Sequence, residues 1–346
     1  MSIIITIVAS IFVFGLIIFI HELGHYLAAR HSKIKVNEFA IGMGPALIKW
    51  ERKGTVYAIR LLPIGGYCTM EGENEESDSE DSFSKAPVGK RILVVISGAI
   101  LNLVLGFIVM IGITASQDLI PTRTVFGFVE NSVTEASGLK TGDTIVAMNG
   151  RNMYCSSDIF YELVRIKGRF TDVTVIRDGK RMLLEDVEFS ITKGANGVNE
   201  IDQDFYILGI REKTVLNVTK EAALSTVSIA RLIFMSILDL ITGNVPINQM
   251  SGPVGIVEVI GQAALIDFSS LLYILAVITI NLGAMNILPF PALDGGRLLI
   301  LLIELITKKR MNPKFEGYIH AIGFILLIVL MLFVTYNDIS KLFRRN

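Results

Sequence analysis

The sequence predicts a polytopic α-helical membrane protein with about four transmembrane helices, a β-hairpin close to the first of them and a soluble domain inserted between the second and third. Three observations predict it. Hydrophobic residues make up 51% of the 346 residues, more than a soluble domain of this size usually carries. They are gathered into blocks nearly free of charge, which is the pattern of membrane spans and not of one large core. Between two of these blocks, Pro121 to Glu212 reads as short strands broken at glycine turns.

The first span runs from about Ile3 to Ala28 and ends in "FIHELGHYLA". It lacks the basic start of a signal peptide, so it is read as a retained helix. The following "ALIKWERKGTVYAIRLLPIGGYCTM" alternates and turns at "ERKG". This predicts a hairpin followed by a strand containing Gly65 and Gly66. The acidic run "EGENEESDSED", 71–81, reads as a solvated loop. A second span covers Ile92 to Ala115 and closes an N-terminal membrane part, 1–116. The soluble domain is placed at 121–212. Residues 214–242 are apolar on average but carry Lys220, Glu221, Arg231 and Asp239, which suggests an amphipathic helix or helix pair at the interface. A C-terminal membrane part, 269–346, holds the last two spans: Ser269 to Leu288, with Asn281 and Asn286, and Gly317 to Tyr336.

The net charge of −1 gives no reason to expect a nucleic-acid partner. Two cysteines, Cys68 and Cys155, make neither a disulfide framework nor a zinc ribbon.

The chemistry is concentrated at the end of the first span. His21, Glu22 and His25 form H-E-x-x-H. Residues four apart share a helix face, so both imidazoles can reach one metal ion. Neutral imidazole suits zinc, and a carboxylate beside the first ligand can take a proton from water. Ionisable groups inside a span are costly, which marks them as functional. A catalytic zinc usually has a third protein ligand and an open position. Asp294, in "NILPFPALDGG", is the best candidate. Pro289 and Pro291 would break the helix before it, and Gly295 and Gly296 would allow a sharp turn. His31 is expected at the interface and His320 in a structural role.

Taken together, His21, Glu22 and His25 with Asn286, Pro289, Pro291, Leu293, Asp294 and Gly295 resemble the two motifs of the site-2 protease family of intramembrane zinc metalloproteases. Likewise Gly138-Leu139, Gly142-Asp143, Ile145 and Asn149-Gly150 resemble a bacterial PDZ domain, a module that binds extended peptides at a sheet edge. Such an insertion is similar to the bacterial subgroup that cleaves anti-sigma factors and signal-peptide remnants. The resemblance implies one zinc ion (Zn2+) per chain on His21, His25 and Asp294, with Glu22 as base. It also implies a hairpin, 42–70, that dips into the membrane. In span two, "SGAILN" keeps Gly98 and Asn102 but lacks the proline that the family often has there. Gly65, Gly66, Asn102, Asn281 and Asn286 are candidates for holding the substrate backbone. The expected partners are transmembrane protein substrates, the lipid bilayer and a peptide ligand of the PDZ domain.

Direction bears on the span count. His21 lies about eighteen residues, roughly 27 Å, along span one, near its far end. Asp294 follows the far end of its own span, so the two spans must run the same way. That favours four spans and an interfacial 214–242. Arg30, Lys33, Lys35, Lys90, Arg91 and the basic 308–310 then share one face, which the positive-inside rule makes cytoplasmic. The active site would lie near that face, in a multi-pass protein of the cell membrane. The soluble domain and both termini would be extracytoplasmic, although "KLFRRN" at the C-terminus argues the other way. Two rival classes are a non-catalytic peptide-binding membrane scaffold and a metal transporter. A scaffold has no use for Glu22, and the spans hold few polar ligands for a transport path.

Overall fold

The computed structural model describes residues 2–73, 77–166, 168–193, 199–202, 204–210, 212–243 and 252–345. Parts of the acidic run 71–81 and of the expected 121–212 domain therefore lie outside the described residues. Two compact units are present: Met1–Val109 with Ile229–Asn346, and Met110–Ser228.

The first unit is mostly helical. Helix α1, Ser2–His31, has no proline and no charge before its histidines, and buries an i, i+4 ridge of Ala9, Val13, Ile17, His21, His25 and Ala29. The motif histidines thus extend a packing ridge. The helix ends with Lys33 in the left-handed region (φ 61°) and the Ile34 N–H on the Ala29 carbonyl.

Strands β1, Val36–Arg52, and β2, Thr55–Met70, form the hairpin, turning at Lys53-Gly54 with φ of 53° and 74°. It starts at Val36, earlier than expected, and folds back on itself. Residues 38–41 pair on one side with 66–69 and on the other with 56–59, and 48–51 pair with 56–59 in turn.

Helix α2 spans Val88–Ser116. In the second unit lie strands β3, Ile120–Phe128; β4, Thr144–Met148; β5, Arg151–Asn152; β6, Phe170–Arg177; β7, Lys180–Glu188; β8, Ile191–Lys193; β9, Asn199–Ile201; and β10, Phe205–Ile210, with helices α3, Val133–Ala136, and α4, Ser156–Arg165. The main sheet has the order β10-β3-β4-β6-β7, with β5 pairing β4. Asn149-Gly150 and Asp178-Gly179 make its tight turns, all four residues at positive φ. Its core includes Leu139, Ile145, Met148, Ile159, Val173 and Phe205. Fully buried Asp143 accepts the Lys140 N–H at 2.8 Å and pairs with Arg177 at 2.7 Å, which raises the guanidinium pKa above its ordinary value.

The chain continues in α5, Val215–Ile241; α6, Pro253–Ile266; α7, Phe268–Ile287; α8, Asp294–Thr307; and α9, Pro313–Arg345. Neither α6 nor α8 was expected. Asp338 of α9 accepts the Gly252 and Gly255 N–H groups at 2.9 and 2.8 Å, capping the start of α6 from a distant helix. Among the described residues, five helices are long and apolar enough to cross a membrane: Ser2–His31, Val88–Ser116, Val215–Leu240, Phe268–Ile287 and Lys314–Ser340. The protein is a multi-pass membrane protein, with one such helix more than the four spans expected. The extra one is α5, a single helix and not a pair. Its charges cluster toward the ends, leaving Arg231 alone between Ala222 and Leu238.

One ion pair fixes the frame around the site. Arg91 at the start of α2 holds Glu304 near the end of α8 through two hydrogen bonds of 3.0 and 2.5 Å, with both side chains largely buried. Glu304 also meets Arg310 Nε at 3.3 Å, so it bridges the start of α2 to the chain just beyond α8.

Candidate metal centre

His21 and His25 leave α1 one turn apart and point at the same place. Asp294 reaches it from the start of α8. Helix α7 ends at Ile287, and Pro289 and Pro291 prevent its continuation. The chain then doubles back so tightly that a Cβ on Gly295 would lie 1.9 Å from the Leu288 carbonyl oxygen. No residue but glycine fits there. His320 of α9 secures the same loop: its Nδ1 accepts the N–H of Ala292, a residue at φ 77°, at 3.1 Å.

The three candidate ligand atoms form a triangle. His21 Nε2 and His25 Nε2 are 3.3 Å apart, and Asp294 Oδ2 lies 3.1 and 3.3 Å from them. A tetrahedral zinc with bonds of about 2.0–2.1 Å separates its ligands by roughly 3.3–3.4 Å, so the triangle has the size of a zinc site. The chemistry agrees. His25 Nδ1 donates to the Val94 carbonyl at 2.9 Å, which leaves Nε2 with its lone pair. Asp294 Oδ2 is buried and, despite its nearness to both rings, has no hydrogen-bond partner. Two ring nitrogens and a carboxylate oxygen from two helices converge on one point, as the ligand atoms of a single cation do. Two imidazoles and a carboxylate are a catalytic zinc donor set.

Helix α2 makes room for this. A Cβ on Gly98 would lie 2.5 Å from His25 Nε2 and 2.8 Å from His21 Cε1. Only a bare backbone can lie against the two rings, and Gly24 of α1 meets Ser97 in the same way. On another side passes residue 66 of the hairpin, where a Cβ would meet Glu22 Cγ at 3.3 Å and Ile18 Cγ2 at 3.1 Å. A cavity of about 410 Å³ reaches Asp294 and is lined also by Arg297, His320 and Phe324.

Of the other candidates, Asn102 Nδ2 lies 3.3 Å from His21 Nδ1, and Asn286 Nδ2 lies 3.4 Å from His21 Nε2. Gly65 and Gly66 lie in the last part of β2. No hydrogen bond among the described residues joins Asn281 to the centre. It sits five residues from Asn286, about 140° round the helix. The Val94 carbonyl carries no signal in the sequence and was missed; Gly98 was noted only as a position kept from the family's span-two pattern, without its part against the rings.

The fold and this centre define a membrane-embedded metallopeptidase. Peptidase family M50 matches residues 9–330. The regulator of sigma-W protease RasP from Bacillus subtilis is 30% identical over 420 residues, covering 98% of this chain and 99% of its own. The zinc metalloprotease RasP of Shouchella clausii is 29% identical over 418 residues, with 98% and 99% covered. A relative in Clostridium acetobutylicum that carries a zinc metalloprotease name is 36% identical over 338 residues, with 96% and 97% covered. The chain belongs to peptidase family M50, the site-2 protease family, and is a zinc-dependent protease of intramembrane proteolysis.

Proposed function

We propose that this protease cuts the transmembrane segments of membrane proteins that another protease has already trimmed, with anti-sigma factors and signal-peptide remnants as the substrate class. In this reading His21, His25 and Asp294 hold one Zn2+ and Glu22 is the general base. The observation that carries it is the 3.1–3.3 Å triangle formed by His21 Nε2, His25 Nε2 and Asp294 Oδ2. Zinc bound there supplies Lewis-acid polarisation of the scissile carbonyl and a stronger nucleophile from water near neutral pH. Glu22 takes the proton of the attacking water and returns it to the leaving amine. Asn286, beside His21, is placed to donate to the substrate backbone.

A helical peptide bond is shielded, since its carbonyl is bonded four residues on. The substrate must open locally, and in lipid each freed backbone group costs several kcal/mol unless it is paired again. The hairpin offers that pairing. Among the described residues, 66–70 pair only with 36–41, which leaves their other edge for strand addition. Gly65 and Gly66 carry no side chain that would hold a second backbone away from this edge, and residue 66 lies beside Glu22. The exposed Leu47, Ile48, Trp50, Leu61 and Leu62 support a hairpin that dips into the membrane.

The second unit is proposed as an extracytoplasmic PDZ domain that screens substrates and takes a peptide ligand, with the catalytic centre near the cytoplasmic face. Deleting residues 122–211 with a short linker is expected to allow cleavage of substrates with bulky external domains, which the intact enzyme leaves uncut. Proteoliposome assays with intact and trimmed versions of one substrate decide it. If the deletion variant still spares the intact version while cutting the trimmed one normally, the screening role is wrong. If the full chain cuts neither, the substrate class is wrong.

Helix α5 is proposed to lie at the interface, leaving four spans. Its first half packs as part of the soluble unit: Val218 and Ala222 are buried, and Ser228 Oγ donates to the buried Asp158 carboxylate of α4. Single cysteines at Val215 and Thr242 should then react with an impermeant thiol reagent from the same side of the membrane. Labelling from opposite sides would make α5 a fifth span.

A further inference from the structure

We propose that Asn102 is a positioning residue for His21: its side-chain oxygen accepts the His21 Nδ1–H and so commits the ring's Nε2 lone pair to the metal. The inference rests on the His21–His25–Asp294 centre proposed above.

Asn102 is completely buried on α2. Its amide faces the back of the His21 ring, with Nδ2 at 3.3 Å from Nδ1. Its Oδ1 is buried with no hydrogen-bond partner, a costly state for a carbonyl oxygen. In this orientation Asn102 donates to Nδ1, so a neutral ring carries its proton on Nε2, 3.1 Å from Asp294 Oδ2. That tautomer cannot bind a metal through Nε2. To do so the neutral ring must carry its proton on Nδ1, and a buried Nδ1–H needs an acceptor. A half-turn of the Asn102 amide exchanges its oxygen and nitrogen and supplies one where Nδ2 now lies.

His25 shows the completed form of the same arrangement, with its Nδ1–H on the Val94 carbonyl at 2.9 Å. Val94 and Asn102 both belong to α2. One helix thus orients both ligand histidines, through a fixed backbone oxygen for His25 and a rotatable amide for His21. The rotatable partner can stabilise either tautomer of His21, with and without metal. A substrate-holding role fits Asn102 less well. The residue has no exposed surface, and its backbone carbonyl accepts the Thr279 Oγ1–H of α7 at 3.3 Å, between helices.

The test is zinc affinity, measured by chelator competition on the full-length protein in detergent, with KM and kcat measured at saturating zinc. Asn102→Leu fills the space but accepts nothing, and should weaken zinc about 10–100-fold. Asn102→Asp keeps an acceptor toward Nδ1 and should hold zinc within about threefold of wild type. KM should stay unchanged in both, since no substrate contact is lost. Should the leucine variant misfold, Asn102→Ser, too short to reach the ring, carries the same expectation. Unchanged zinc affinity in Asn102→Leu or Asn102→Ser overturns the proposal, as does equal loss in Asn102→Asp. Wild type and Asp294→Ala are measured alongside. If wild type binds no zinc, or Asp294→Ala binds it equally well, the metal centre itself is misassigned. If Asp294→Ala loses zinc while the uncharged Asn102 variants keep it, only the role of Asn102 fails.

Discussion

Replacing Glu22 by glutamine is expected to lower turnover by about 10²–10⁴-fold, the usual contribution of a positioned general base. Zinc content and melting temperature should stay at wild-type values. The amide has nearly the shape of the carboxylate, so it can pack where Glu22 packs, beside residue 66 of the hairpin. What it cannot do is accept a proton from water or return one to the leaving amine. Glu22 follows His21 directly on α1, so its side chain leaves the helix about 100° away from the first ligand. The assay is cleavage of one single-span substrate in proteoliposomes, with metal content determined on the same preparation. Turnover within tenfold of wild type would remove Glu22 from the role of base. Loss of zinc in the variant would mean that the carboxylate is a ligand, and the three-ligand account would need revision.

The second large effect is expected at a residue with no side chain. Gly98→Ala puts a Cβ where 2.5 Å separates it from His25 Nε2 and 2.8 Å from His21 Cε1. Real contacts of this kind need about a further ångström, so either α2 withdraws or the histidines turn aside. Misplacement by about 1 Å at a reacting centre can cost about 10²-fold in rate, and turnover of Gly98→Ala should fall by at least about that much, together with weaker zinc binding. Gly112→Ala on the same helix is the control, because a Cβ there meets nothing within 4 Å. It should leave both properties unchanged, and alanine should favour the helix by up to about 1 kcal/mol. Wild-type turnover in Gly98→Ala would show that the close approach of α2 to the rings does not matter.

What could be read in the sequence, and what could not, follows from how far apart the interacting residues are in the chain. Two histidines one helical turn apart, and a Pro-rich break followed by Asp-Gly-Gly, are local patterns with local physical reasons. Both motifs therefore point to the centre before any fold is known. The helices containing them stand out because a bilayer demands long uncharged runs. The partners of the centre do not stand out. Val94 contributes a backbone carbonyl, which every residue has, and Gly98 contributes an absence; only the approach of α2 to α1 gives either a meaning. The hairpin was predicted from alternation and a turn, but alternation says nothing of residues 38–41 being paired on both sides. The short α6 was missed because its fourteen residues fall below the length of a span, and its cap, Asp338, is remote in sequence. Helix α5 remained ambiguous because a few charges suit either an interfacial helix or a span with one polar stripe.

Metal analysis of the purified full-length protein decides whether His21, His25 and Asp294 share one zinc ion. Wild type should carry about one zinc per chain after extensive dialysis, as a site with three protein ligands does. His21→Ala, His25→Ala and Asp294→Ala should each lose most of it, while Glu22→Gln keeps it. Wild-type protein that holds no zinc, or an Asp294→Ala variant that holds it as firmly as wild type, would contradict the assignment of these three residues to one zinc ion.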